Sequence, residues 1–188
     1  MPYDKVLLGH LQRRLAQISI TTSALRNQGL PGTISTVRDY LDDCIDLGRF
    51  FNVLPDLRKY TRFLDKHTDA LRSRLTVRAN GNMWGPSRKA LNLFFRAIVY
   101  DKILCDHFKV PRNPKVYDAL IAPMEIPLDK DAAKGIRGDF QGSLPRWHGI
   151  IHLTPEISEE YQQAALEIAM NERTARVHLD MRYWRNTD

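Results

Sequence analysis

Apolar side chains recur every three to four positions along most of the chain, which is the period of helices with one buried face. Val6, Leu7, Leu11, Leu15 and Ile18 predict an amphipathic first helix. Thr22 to Gln28 predicts a short helix stopped at Gly29, with Leu30-Pro31-Gly32 as a turn. Ser35 stands as N-cap to a segment in which Val37, Tyr40, Leu41, Cys44, Ile45 and Leu47 share a face. Pro55 can open a long helix with Leu57, Tyr60, Leu64, Leu71 and Leu75 as its stripe, and Asn80-Gly81-Asn82 reads as a turn.

From Ala90 to Tyr100 the chain is apolar on most sides, as expected of a helix through the middle of a domain, with Leu93, Phe94, Ile98 and Leu104 inside. A proline-containing loop from Lys109 to Asn113 and a short helix near Tyr117 follow. Pro123 and Pro127 bracket an extended piece, and Asp129 then stands as N-cap to a helix over Lys130 to Ile136. Gly135, Gly138, Gly142 and Pro145 imply irregular chain. Thr154-Pro155-Glu156 opens another helix, running to about Asn171. Leu179 and Tyr183, four apart, favour a helix in Val177 to Trp184. With no repeat and no boundary, the expectation is one all-α domain over residues 1–188.

Composition agrees with a globular domain: 188 residues, 43% hydrophobic and 27% charged. No apolar run reaches the roughly 20 residues that span a bilayer, and the first residues do not read as a secretory signal. Cys44 and Cys105 are too few for a disulfide scaffold or a cysteine-held metal. A cytoplasmic location is therefore expected, nucleoid-associated if the source is bacterial. The net charge of +6 is localised. Between Asp69 and Asp101 there is no acid, and Arg72, Arg74, Arg78, Arg88, Lys89 and Arg96 fall there. Removing those six from 28 basic residues leaves 22 against 22 acidic ones, so the whole excess sits in one stretch. Such a field suits a polyanion such as nucleic acid, or simply forms a solvated helix face.

Several chemistries are excluded by spacing. His148 and His152 lack a third ligand at a metal-binding distance in sequence, so no metal is expected. No phosphate loop or nucleotide-binding glycine fingerprint occurs, no cofactor is expected, and Gly142-Ser143 is no nucleophile elbow.

Two stretches remain. In Gly81-Asn82-Met83-Trp84-Gly85-Pro86-Ser87-Arg88-Lys89, a glycine-punctuated turn leads into the apolar helix. Backbone N–H groups at such a turn can grip a phosphate. Lys89 stands in the first helical turn beside Arg88, where a cationic neighbour and partial desolvation favour a neutral, nucleophilic amine. It equally reads as a surface lysine that snorkels or contacts phosphate. Asp129, delivered by the rigid Ile126-Pro127-Leu128 segment, is either a helix cap alone or a cap that also faces a cleft as an ionised carboxylate.

Lys89-Ala90-Leu91-Asn92-Leu93-Phe94-Phe95-Arg96, followed by Ile126-Pro127-Leu128-Asp129, resembles the catalytic half of helix-hairpin-helix DNA glycosylases, the 8-oxoguanine glycosylase/lyase branch in particular. The ending His178-Leu179-Asp180-Met181-Arg182-Tyr183-Trp184 is similar to the closing segment of compact members. The resemblance covers roughly residues 80–137 and this last piece, and requires Cys105 to Pro123 to be an insertion. It implies a helical bundle that excises a damaged base from duplex DNA, with Lys89 as nucleophile and Asp129 as the catalytic carboxylate. Arg72, Arg74, Arg78, Gly81, Gly85 and Arg88 are then the expected DNA-backbone contacts, and Trp84, Phe140 and Trp147 the candidates for stacking on an extruded base. The alternative is a non-catalytic helical protein that binds nucleic acid or another protein, with Lys89 a phosphate contact and Asp129 only a cap. The sequence assigns no lesion and no oligomeric state.

Overall fold

A computed structural model describes residues 3–25, 29–76 and 82–184. The fold is all-α: ten α-helices and two short 3₁₀ turns, with no strand among the described residues. The helices are α1 (Lys5–Ser19), α2 (Thr33–Asp43), α3 (Leu47–Val53), α4 (Leu57–Arg72), α5 (Trp84–Tyr100), α6 (Lys102–His107), α7 (Pro114–Ile121), α8 (Lys130–Asp139), α9 (Pro155–Glu172) and α10 (Leu179–Tyr183). The 3₁₀ turns are Ile150–His152 and Arg176–His178.

Short polar side chains set most helix starts. Asp4, Asp46, Asp56, Asp101, Asn113, Asp129 and Thr154 each accept a backbone N–H from the first turn that follows. Each satisfies a donor that the helix itself leaves unpaired.

Several sequence expectations shift. Thr22–Leu25 forms a turn rather than a helix, and residues 26–28 lie outside the described residues, as do Asn80 and Gly81 of the predicted turn. Gly32, not Ser35, precedes the first residue of α2; the Ser35 hydroxyl instead donates to the Gly32 carbonyl at 2.8 Å from inside the helix. The apolar face running from Val37 to Leu47 is split between two helices, because Asp46 caps a new start. The helix expected from Pro55 begins at Leu57 under the Asp56 cap, and Leu57 itself is exposed. The presumed insertion between Cys105 and Pro123 is largely helical, being the end of α6 and all of α7.

Burial divides into two apolar cores. The larger joins α1 through α5 with α6 and α7, and its centre is aromatic: Phe50 stacks on Phe95 at 4.6 Å between ring centroids, with Phe63 and Phe94 around them. The smaller gathers Trp84, Ile126, Leu128 and the inner faces of α8, α9 and α10. Helix α5 contributes to both, through Leu91, Phe94, Phe95 and Ile98 to the first and Trp84 to the second. This continuous apolar surface is why its sequence shows no single polar face.

Candidate functional site

Consecutive side chains on a helix point about 100° apart, and α5 uses this to separate Arg88 from Lys89. Arg88 is buried, and its guanidinium donates to Glu125 at 2.6 and 2.8 Å, to Asp65 at 2.7 Å and to the Thr68 hydroxyl at 3.1 Å. It also lies over the Trp84 ring at 5.4 Å. The expectation of Arg88 as a phosphate contact is therefore corrected: its donors are consumed inside the protein. Burial alone would lift the Glu125 carboxyl, but the charge and hydrogen bonds of Arg88, with Arg176 and Asn92, hold it below its ordinary value.

Lys89 turns the other way, into a cavity of about 840 Å3. Its Nζ lies 3.2 Å from Oδ2 of Asp129, 40 positions later in sequence. Asp129 divides its two oxygens. Oδ1 accepts from the backbone N–H groups of Asp131 at 3.0 Å and Ala132 at 2.9 Å, capping α8, while Oδ2 faces Lys89. The extended chain from Glu125 to Leu128 is buried and pinned by Gln162, whose amide exchanges hydrogen bonds with both backbone groups of Ile126 at 3.0 and 2.8 Å. That clamp fixes where the carboxylate stands.

A second ion pair, Arg96 with Asp180, lines the same cavity. Arg96 follows Lys89 by two helical turns on α5, and Asp180 comes from α10. Burial lowers the Arg96 guanidinium from its ordinary value against the opposing influence of Tyr100 and Asp129. Trp147 and Trp184 supply large aromatic surfaces to the walls. Trp147 meets Tyr161 edge-on at 5.6 Å, and the Tyr161 hydroxyl donates to the Pro145 carbonyl at 2.8 Å, tying down its irregular segment.

The wall formed by residues 149–153 packs directly on the start of α5. Gly149 adopts φ +97°, a conformation that side chains disfavour. A Cβ on Gly85 would fall 2.1 Å from the Ile150 carbonyl oxygen, so only glycine permits this contact. The Asn82 N–H donates to the Ile151 carbonyl at 2.9 Å, completing the seam.

These contacts correct two more expectations. Gly85 is buried under Ile150 rather than offered to a phosphate, and Trp84 is a core residue. Phe140 is half-buried against the second core and does not line the cavity; Trp147 does. Arg72 and Arg74 are exposed at the end of α4, where Arg74 lies 4.9 Å over the Tyr40 ring. Arg78 and Gly81 lie outside the described residues. Sequence reasoning missed Arg96, Asp180 and Trp184 as cavity residues. The acid ending Leu179-Asp180, with Trp184 four positions on, was the available signal.

No group of His, Cys, Asp and Glu among the described residues could hold a metal ion, and no described helix is long and apolar enough to cross a membrane. Comparison with family models, curated proteins and solved structures returned no match.

Proposed function

We propose that the protein is a DNA glycosylase with associated lyase activity, acting on a damaged base in duplex DNA. The observation that carries this reading is the approach of Lys89 Nζ to Asp129 Oδ2 at 3.2 Å inside a cavity large enough for a nucleobase.

The damaged nucleotide is extruded from the stack, at a cost that a lesion or mismatch reduces. Trp147 and Trp184 offer surfaces on which the base stacks. Arg96 and Asp180, a donor beside an acceptor, are suited to the polar edge of the base. Lys89 passes a proton to water and its amine attacks the sugar C1′, while the glycosidic bonding pair leaves with the base, which takes up a proton from water. Asp129 stabilises the positive charge that develops at C1′, and its orientation is preset because its other oxygen is held by the start of α8. The lysine adduct opens to a Schiff base, which permits elimination of the 3′ phosphate.

The test is incubation with lesion-containing duplexes in the presence of borohydride. A covalent protein–DNA adduct through Lys89 supports the reading. Absence of adduct and of excision across a broad lesion panel, with duplex binding retained, transfers the protein to the non-catalytic nucleic-acid-binding class.

A further inference from the structure

One helical turn beyond Arg96, where α5 ends, lies a second cavity of about 580 Å3. Its walls are mostly apolar, from Val99, Val110, Pro111, Pro114 and Tyr117. Into it faces a chain of three titratable side chains that the proposed glycosylase chemistry does not use. The Tyr100 hydroxyl is 2.6 Å from Nδ1 of His178, and Nε2 of His178 is 3.3 Å from Oδ1 of Asp118. The three come from α5, the second 3₁₀ turn and α7, 60 and 78 positions apart along the contacts.

The proton positions follow from the partners. The His178 tautomer that satisfies both contacts carries its proton on Nε2, donating to the Asp118 carboxylate, and leaves Nδ1 to accept from the Tyr100 O–H. This is the logic of a hydroxyl nucleophile, a histidine base and an orienting carboxylate, with the two ring nitrogens exchanged. The tyrosine and histidine rings are 17° from parallel with centroids 5.6 Å apart, so the base is held against the phenol.

Two further hydroxyl or thiol nucleophiles at this cavity, Cys105 and Tyr117, are committed elsewhere. The Cys105 thiol donates to the Val99 carbonyl at 3.0 Å, and burial, with Asp101 and Asp106, pushes it up to about 11, where it stays protonated. The Tyr117 hydroxyl donates to the same carbonyl at 2.8 Å. Tyr100 alone among these points its hydroxyl at a base. Burial raises its phenol as well, so it needs that base to react.

We propose that Tyr100, His178 and Asp118 form a second reactive centre, a tyrosine nucleophile that accepts acyl groups from small carboxylic esters with apolar or aryl substituents. The phenol oxygen forms a bond to the ester carbonyl carbon while its proton passes to Nδ1 of His178. The bond from carbonyl carbon to the leaving oxygen breaks, and that oxygen takes the proton from His178. Water, deprotonated by His178, then cleaves the acyl-tyrosine and restores the phenol. No electrons are exchanged with an outside agent, and nothing in the scheme depends on Lys89.

The probe is 4-nitrophenyl acetate with the full chain. A burst of nitrophenolate stoichiometric with protein is expected, with the acetyl group found on Tyr100 by peptide mass spectrometry. Tyr100→Phe removes the burst. His178→Gln slows it by about 100-fold or more, the scale of a lost general base, and Asp118→Asn slows it less. Thermal melts establish that each variant is folded. If Tyr100→Phe fails to fold, the wild-type peptide map and the two other variants still decide. Acetylation scattered over lysines without a burst, or a burst unchanged by His178→Gln, overturns the proposal.

Discussion

Arg88 and Lys89 are neighbours in sequence and serve different sides of α5: Arg88 is locked to Glu125 inside the protein, and Lys89 meets Asp129 in the cavity. One basic dipeptide thus supplies a structural clamp and a candidate nucleophile. Their substitutions are expected to separate cleanly.

Lys89→Gln should abolish borohydride trapping while leaving thermal stability and duplex binding near wild type. Asp129→Asn retains an oxygen for the α8 cap and loses the charge, so excision should slow by about 10²–10³-fold. Asp129→Ala should in addition cost about 1 kcal/mol of stability through the lost cap. Single-turnover excision and urea denaturation, run on the same preparations, check both.

Glu125→Ala should cost about 3–5 kcal/mol, because it strands the buried Arg88 charge. In the wild type the Glu125 carboxyl is held below its unfolded value. Its contribution is thus present above the ordinary glutamate range and lost as pH falls through the depressed folded value. Urea melts between neutral and acidic pH should show that loss in the wild type and not in Glu125→Gln.

His67 is a second source of acid sensitivity. Burial, with Lys66 and Arg49, lowers its imidazole from 6.5 to about 4, and its Nδ1 contacts the Tyr40 hydroxyl at 2.7 Å. The unfolded chain then binds a proton at a pH where the native protein does not. Stability is therefore full above 6.5 and falls as pH drops from 6.5 toward 4. His67→Gln should flatten the stability profile across that window relative to wild type.

Phe94→Ala should destabilise by about 3–5 kcal/mol, since the ring is fully buried at the middle of α5. A loss below about 1 kcal/mol would contradict its place in the core.

Neutralising the exposed Arg72 and Arg74 together should weaken duplex binding across sequences and reduce the salt slope by about 0.9 per phosphate contact removed. An unchanged slope in fluorescence-anisotropy titrations would free both from the DNA backbone.

Much of this was legible from local chemistry. The apolar run from Ala90 to Tyr100 marked the central helix, and Phe94, Ile98 and Leu104 are buried as expected, whereas Leu93 is half-buried at the cavity. Asp129 and Thr154 marked helix starts by the capping chemistry that the structure displays. Lys89 and Asp129 were singled out by motif, and the fold brings them into contact. Other features depend on partners distant in sequence. Nothing in a basic run distinguishes Arg88 from Arg72 until Glu125, 37 positions on, claims one of them. Asp180 stood out only as part of the family-like ending, and its pairing was hidden because its partner Arg96 lies on another helix. The break between α2 and α3 was hidden by apolar spacing that continues across it, although Asp46 carried the cue.

The seam where residues 149–153 rest on the bare backbone at Gly85 lies on the side of the smaller core, and the Lys89 cavity, lined in part by Gly149 and Ile150, borders it. Asp129 and Asp180 are carried by the smaller lobe, Lys89 and Arg96 by the helix it leans on. A rise in temperature that loosens the smaller lobe alone would part both ion pairs while the aromatic centre around Phe50 and Phe95 stayed intact. Under the proposed function, loss of activity on heating would then precede loss of the larger core. An activity half-life measured on heating would report the seating of the smaller core on α5, and a calorimetric transition the survival of the larger core.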